Sequence, residues 1–349
     1  MAIIFAAGYY LQIERIRFMN SPMQLPDGDE TYFLKQGMGA NRVAADLEQR
    51  GWITDSRWLR LHFKFFPADT VIQAGEYRVE KGMTPLALLS LFKSGDVIRY
   101  YVTLVEGLKF KESLVSLHEH PDLVHELTPE LNSDEQLWSA LDLSPEHTHP
   151  EGQFFPDTYQ FVKGDSDIDI LRRAYARMQQ VLAEEWAQRD EDLPYKTPYE
   201  ALIMASIVEK ETGQAHERDE IAGVFVRRLN KRMKLQTDPT IIYGLGDAYT
   251  GNIRKKHLRD SSNIYNTYQI KALPPTPIAL AGRAAIRAAL NPKPGDSLFF
   301  VAKGDGSHQF SATLAEHEKA VRLYQIERRR ANYRSSPKPA SKAASGDTP

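Results

Sequence analysis

The sequence predicts an α+β protein: small strand-helix-strand units in its first third, then a mainly helical part that closes on a short β-hairpin. Three observations carry this. Residues 35–51, 81–96 and 105–121 each pass from a Gly through an apolar residue into about three turns of amphipathic helix, a repeating pattern. Strand-like runs precede them at 31–34, 75–79 and 97–104, the last reading VIRYYVTL. Residues 201–208 are apolar except for Ser206, so a helix there is apolar on all sides and must be buried.

In chain order, MAIIFAAGYYLQI at 1–13 is uncharged and apolar, shorter than the ~20 residues a spanning helix needs, and ends at Glu14, Arg15 and Arg17. No basic residues precede it, so it is a poor signal peptide. Residues 1–20 are expected to form a short or truncated membrane anchor, and 21–30 (SPMQLPDGDE) a linker. Residues 31–105 form the first folded unit. Within it the strand-helix-strand stretch 75–104 resembles a LysM-like sugar-binding module. Residues 106–150 read as a helical connection. Its His118/His120 and His147/His149 pairs do not fit a zinc-binding HExxH pattern, and no metal is expected.

Composition removes several function classes. The 349 residues carry a net charge of −2, so no global basic field announces a nucleic-acid partner. Without Cys there are no disulfides, thiolate metal sites or Cys nucleophile. No phosphate loop, dinucleotide fingerprint or GxSxG elbow is present, and no cofactor is expected.

The stretch 197–213, TPYEALIMASIVEKETG, carries the most suggestive chemistry. Thr197 and Glu200 form a capping box with Pro198 at the first helical position, and Gly213 is placed to close the helix. Glu209 and Glu211 fall in its last turn. The negative end of the helix dipole and apolar surroundings both push a carboxyl pKa upward, as a general acid requires. The two point roughly 200° apart, so at most one faces a given cleft. The alternative is that both merely solvate a helix end.

EGQFFPDTYQF at 151–161 sets aromatics beside Asp157, the outfit of a carbohydrate cleft. Helices are expected at 168–186 and 218–233, a tight turn at Asp238-Pro239, and a polar, aromatic loop at 261–279 containing Tyr265, Asn266 and Tyr268. A helix at 280–290, a strand at 297–302, a KGDG turn, a return strand through His308 and a last helix to about 333 follow. Residues 151–333 are the expected catalytic domain, and 334–349 a disordered tail. Glu-centred acid chemistry among Tyr, Asn, Gln and Thr suits cleavage of a glycosidic bond, with Asp157 or Asp238 as a second carboxylate.

The ordered motifs EGQFFPDTYQF, ASIVEKET, VFVRRLNKRMKLQTDPTIIYGLG, YNTYQIKALPPTPI and LFFVAKGDGSHQFSATLAEH resemble the endolytic murein transglycosylase family, the MltG or YceG-like proteins, over roughly residues 28 to 330. The resemblance implies a single-pass inner-membrane protein of bacteria with its catalytic part in the periplasm. It implies cutting of nascent peptidoglycan strands internally to leave 1,6-anhydro-N-acetylmuramic ends, beside a peptidoglycan synthase. It assigns the catalytic role to Glu211, with Glu209 second, and makes Asp157, Gln236, Asp238, Tyr265, Asn266 and Tyr268 candidates for substrate positioning. A lysozyme-like hydrolase and a noncatalytic glycan-binding scaffold are the rival readings.

Overall fold

The computed structural model describes residues 1–26, 28–127 and 133–327. The expected tail at 334–349 and the end of the last helix lie outside them. Among the described residues helices dominate, with three two-stranded sheets, an α+β arrangement. In chain order the elements are α1 (Ala2–Asn20), β1 (Glu30–Leu34), α2 (Ala40–Gln49), α3 (Ser56–Phe65), β2 (Gly75–Val79), α4 (Pro85–Ser94), β3 (Arg99–Thr103), α5 (Phe110–His118), α6 (Asp134–Ala140) and β4 (Thr158–Val162). Then come α7 (Asp167–Ala187), α8 (Pro198–Glu211), α9 (Arg218–Asn230), α10 (Asp238–Leu245), α11 (Lys255–Leu258), α12 (Arg283–Leu290), β5 (Phe299–Ala302), β6 (His308–Ser311) and α13 (Leu314–Val321).

Two compact units divide the chain. Among the described residues, one comprises 1–102, 120–126 and 159–167, the other 103–119, 127–158 and 168–327. In the first, β1 pairs antiparallel with β2, Tyr32 opposite Tyr77, and both rings pack on Phe92 of α4. β2 thus takes β1 as its partner, whereas β3 pairs with β4, so the strands flanking α4 are not neighbours in one sheet.

Helix α1 is longer than the apolar run at 1–13. Its second half carries Met19 into the core, and a buried Arg15 places Nη1 2.7 Å from His62 Nδ1. That contact tethers α1 to α3, and His62 Nε2 in turn lies 2.9 Å from Asp69. Its first half leaves Ile3, Phe5 and Tyr9 exposed. No helix among the described residues is long and apolar enough to cross a membrane.

The second unit is built around α8. Thr197 caps it, accepting from the Glu200 N–H at 3.3 Å, and every residue from Ala201 to Val208 is buried. α9, α10 and α12 pack around it. Ser206, the one polar group within, donates to Ile203 O at 2.7 Å and accepts from Ile278 N–H at 3.0 Å, pinning the Pro-rich segment to the helix. The helix ends differently from the expectation: Thr212 takes an extended conformation at the C-cap, and Gly213 does not adopt the left-handed form. The expected turn at Asp238-Pro239 is instead the start of α10, because a Pro in the first helical turn needs no N–H.

Candidate active site

A cleft of about 950 Å³ opens in the second unit, and Glu211, at the last position of α8, lines it. Arg228 of α9, Gln236 and Asp238 from the chain entering α10, Tyr243 of α10, Tyr268, and the β5–β6 hairpin through Phe299, Phe300 and His308 complete its wall. A helix end that is buried on all sides delivers its terminal side chain at a fixed point, which is what a reacting group requires.

Burial pushes the Glu211 carboxyl up to about 7. The Thr237 hydroxyl nearby pulls it down, the Asp238 charge pushes it up, and Arg228 pulls it down. The carboxyl therefore changes protonation close to neutrality. Arg228 is itself buried and held by backbone carbonyls: Nε donates to Leu298 O at 2.7 Å, and Nη1 to Leu235 O at 2.7 Å and Lys234 O at 3.3 Å. Its guanidinium also lies 5.2 Å from the centre of the Phe299 ring.

The Gln236 backbone sits at φ 53°, a left-handed conformation costly for a residue with a side chain. Its N–H is held by Thr267 O at 3.2 Å, and the next N–H, of Thr237, donates to Thr267 Oγ1 at 3.0 Å. This bend brings Gln236 and Asp238 into the wall on either side of Thr237. Tyr268 donates to Asp238 Oδ1 at 2.8 Å, and burial first, with the Asp238 charge second, raises its phenol.

Of the residues singled out in the sequence, Glu211, Gln236, Asp238 and Tyr268 share this wall. Glu209, two positions earlier, faces elsewhere: Oε2 accepts from Gly282 N–H at 3.2 Å, and Oε1 lies 3.7 Å from Arg218 Nη2. Asp157, Tyr265 and Asn266 do not line the cleft. Asp157 is exposed and accepts from the N–H of Thr158. Asn266 is wholly buried and spends its amide on the carbonyls of His257 and Asp260, holding its loop together. Tyr265 bonds Thr276 at 2.8 Å and packs its ring 4.8 Å from that of Tyr243.

Two pairs were missed by sequence reasoning. Glu151 is 4% exposed, and burial pushes its carboxyl up to about 7; it accepts from Phe110 N–H at 2.9 Å and from the Tyr243 hydroxyl at 3.1 Å. Glu217 binds His308 of β6 through both carboxylate oxygens. Partners this far apart in sequence leave no local pattern. Among the described residues no group of three or more His, Asp or Glu is placed to hold a metal.

Comparison with known proteins gives the site its context. An endolytic murein transglycosylase of Bacillus subtilis is 30% identical over 304 residues, 83% of either chain. One of Streptococcus pneumoniae is 25% identical over 320 residues, spanning 83% of this chain and 57% of its own length. A crystal structure of a yceG-like protein from Listeria monocytogenes superposes with a TM-score of 0.53 at 26% identity, covering 84% of this chain and 98% of its own. The YceG-like family model matches residues 32–323, and the chain belongs to that family.

Proposed function

We propose that the protein is a peptidoglycan lyase, an endolytic murein transglycosylase that cleaves the bond between N-acetylmuramic acid and N-acetylglucosamine within a glycan strand. The observation that carries the reading is Glu211: a carboxyl fixed at the end of a buried helix, open to a cleft, with a pKa near neutrality. The names of the relatives, which are murein transglycosylases, support the same class of reaction.

In this reading one carboxyl acts twice. Protonated Glu211 gives its proton to the glycosidic oxygen as the bond from that oxygen to the muramic C1 breaks. The carboxylate so formed takes the proton of the muramic C6 hydroxyl, whose oxygen bonds to C1 and closes the 1,6-anhydro ring. The nucleophile is part of the substrate, so proximity replaces a bound water and no second carboxylate is needed to activate one. Gln236, Asp238 and Tyr268 hold the sugars, and the buried Arg228 steadies the anionic form of Glu211.

Product mass tests the chemistry. Digested strands carry anhydro ends; an added water on every product would instead mark a lysozyme-like hydrolase, the reading that the presence of Asp238 in the same wall favours. Glu211→Gln abolishes cleavage while leaving the fold intact, and Glu209→Gln retains it. The exposed Ile3, Phe5 and Tyr9 support attachment of α1 to the inner membrane, with cleavage beside a synthase limiting strand length. Co-sedimentation of the full chain with anionic vesicles, against a triple Ser variant at those positions, tests the attachment.

A further inference from the structure

Glu217 ends the short helical turn Ala215–Glu217 that leads into α9, and it is 5% exposed. Its two oxygens serve one residue. Oε1 accepts from the His308 backbone N–H at 2.9 Å, and Oε2 lies 2.8 Å from His308 Nδ1. The neighbouring His216 Nε2 stands 3.9 Å from Oε1, beyond hydrogen-bonding range. His308 is 6% exposed, faces Ala302 across the hairpin, and sets its ring edge-on to Phe300 at 5.4 Å. It lines the same cleft as Glu211.

A carboxylate can only accept, so in the neutral ring it fixes the proton on Nδ1 and leaves a lone pair on Nε2. That nitrogen has no partner among the described residues. A carboxylate that orients one nitrogen of a histidine commonly does so for the benefit of the other. We propose that His308 contacts the substrate, its Nε2 accepting a hydrogen bond from a sugar hydroxyl or acetamido N–H of the bound glycan, and that Glu217 is the residue that positions it. The inference rests on the glycan reading above.

Two substitutions separate contact from mere support. In His308→Asn the shorter amide keeps a donor near the Nδ1 position for Glu217 and removes Nε2. In Glu217→Gln the His308 backbone N–H holds the amide oxygen, so the amide NH₂ faces Nδ1, and the proton moves to Nε2. The measurement is made on the full chain carrying Glu211→Gln, which binds without turnover, with ¹⁵N-labelled histidine and soluble peptide-free glycan oligomers. The Nε2 resonance of His308 moves on saturation, and His308→Asn weakens oligomer binding roughly fivefold, the loss of one net hydrogen bond. Glu217→Gln shows the opposite tautomer and weakens binding similarly.

Oligomers that bind while Nε2 stays unmoved, or a folded His308→Asn protein that binds as tightly as its parent, overturn the inference alone. Oligomers that do not bind at all overturn it together with the glycan reading. Binding that moves Nε2, from a parent chain whose products carry added water, leaves this inference standing and removes the transglycosylase chemistry. Should His308→Asn fail to fold, the resonance of the unsubstituted ring still decides.

Discussion

Tyr243 donates its hydroxyl to Glu151 Oε2 at 3.1 Å, joining a residue of the cleft wall to a buried carboxyl 92 positions earlier. The Glu151 carboxyl is raised from 4.5 to about 7, chiefly by burial. Between those values the folded chain holds a proton that the unfolded chain has released. The contribution of this group to stability is therefore full below pH 4.5 and is lost as the pH rises through 7. Glu151→Gln removes that slope, by on the order of 3 kcal/mol at most. Urea denaturation at pH 5 and pH 8 checks it; equal losses in the variant and the parent count against the assignment.

The alkaline limb of the cleavage rate reports Glu211, which must enter the proposed reaction protonated. Activity is expected to fall as the pH rises through about 7. Asp238 raises this carboxyl, so Asp238→Asn moves the limb toward lower pH. A pH profile of kcat/KM on soluble glycan, taken for both proteins, provides the comparison. An unmoved limb would show that another group sets it.

Ser206→Ala leaves the Ile278 N–H without its acceptor in a part of the core closed to water. The expected cost is about 1–3 kcal/mol. Chemical denaturation reads it directly. Cleavage by the remaining folded protein should also drop, since Ile278 lines the cleft.

Gly152→Ala meets two obstacles. The backbone there has φ 78°, and an added Cβ would stand 2.4 Å from Pro277 Cβ and 3.4 Å from Ala279 O. Left-handed strain costs roughly 1–2 kcal/mol, and the overlap roughly 1–3 more. A corresponding fall in melting temperature is expected, whereas Gly39→Ala, where an added Cβ meets nothing, should cost less than about 1 kcal/mol through the N-cap of α2.

What could be read in advance follows from how local each signal is. Thr197, Pro198 and Glu200 announce α8 within four residues, and the apolar run behind them announces its burial. The strands at 31–34 and 75–79 are equally plain, yet their pairing is not, because neither strand names its neighbour; Tyr32 and Tyr77 come opposite each other only where both pack on Phe92. The end of α8 departs from its local signal: Gly213 is the usual residue for closing a helix, but Thr212 already leaves helical geometry one residue earlier. Asp157 and Asn266 sit in suggestive motifs and serve their own loops. Glu151 opens the EGQFFPDTYQF motif and Glu217 lies in none, yet the role of each shows only in a partner some 90 residues away.

The way Arg228 is held has a consequence for the energetics of turnover. Its bonds run to the carbonyls of Leu298, Lys234 and Leu235, groups that never change charge. When Glu211 loses or regains a proton, those carbonyl bonds hold the cation beside it in place. The guanidinium needs no rearrangement of its own hydrogen bonds to face either form of the carboxyl. In the proposed cycle little reorganisation accompanies the two steps, and the cost of arranging those dipoles was met once, when the chain folded.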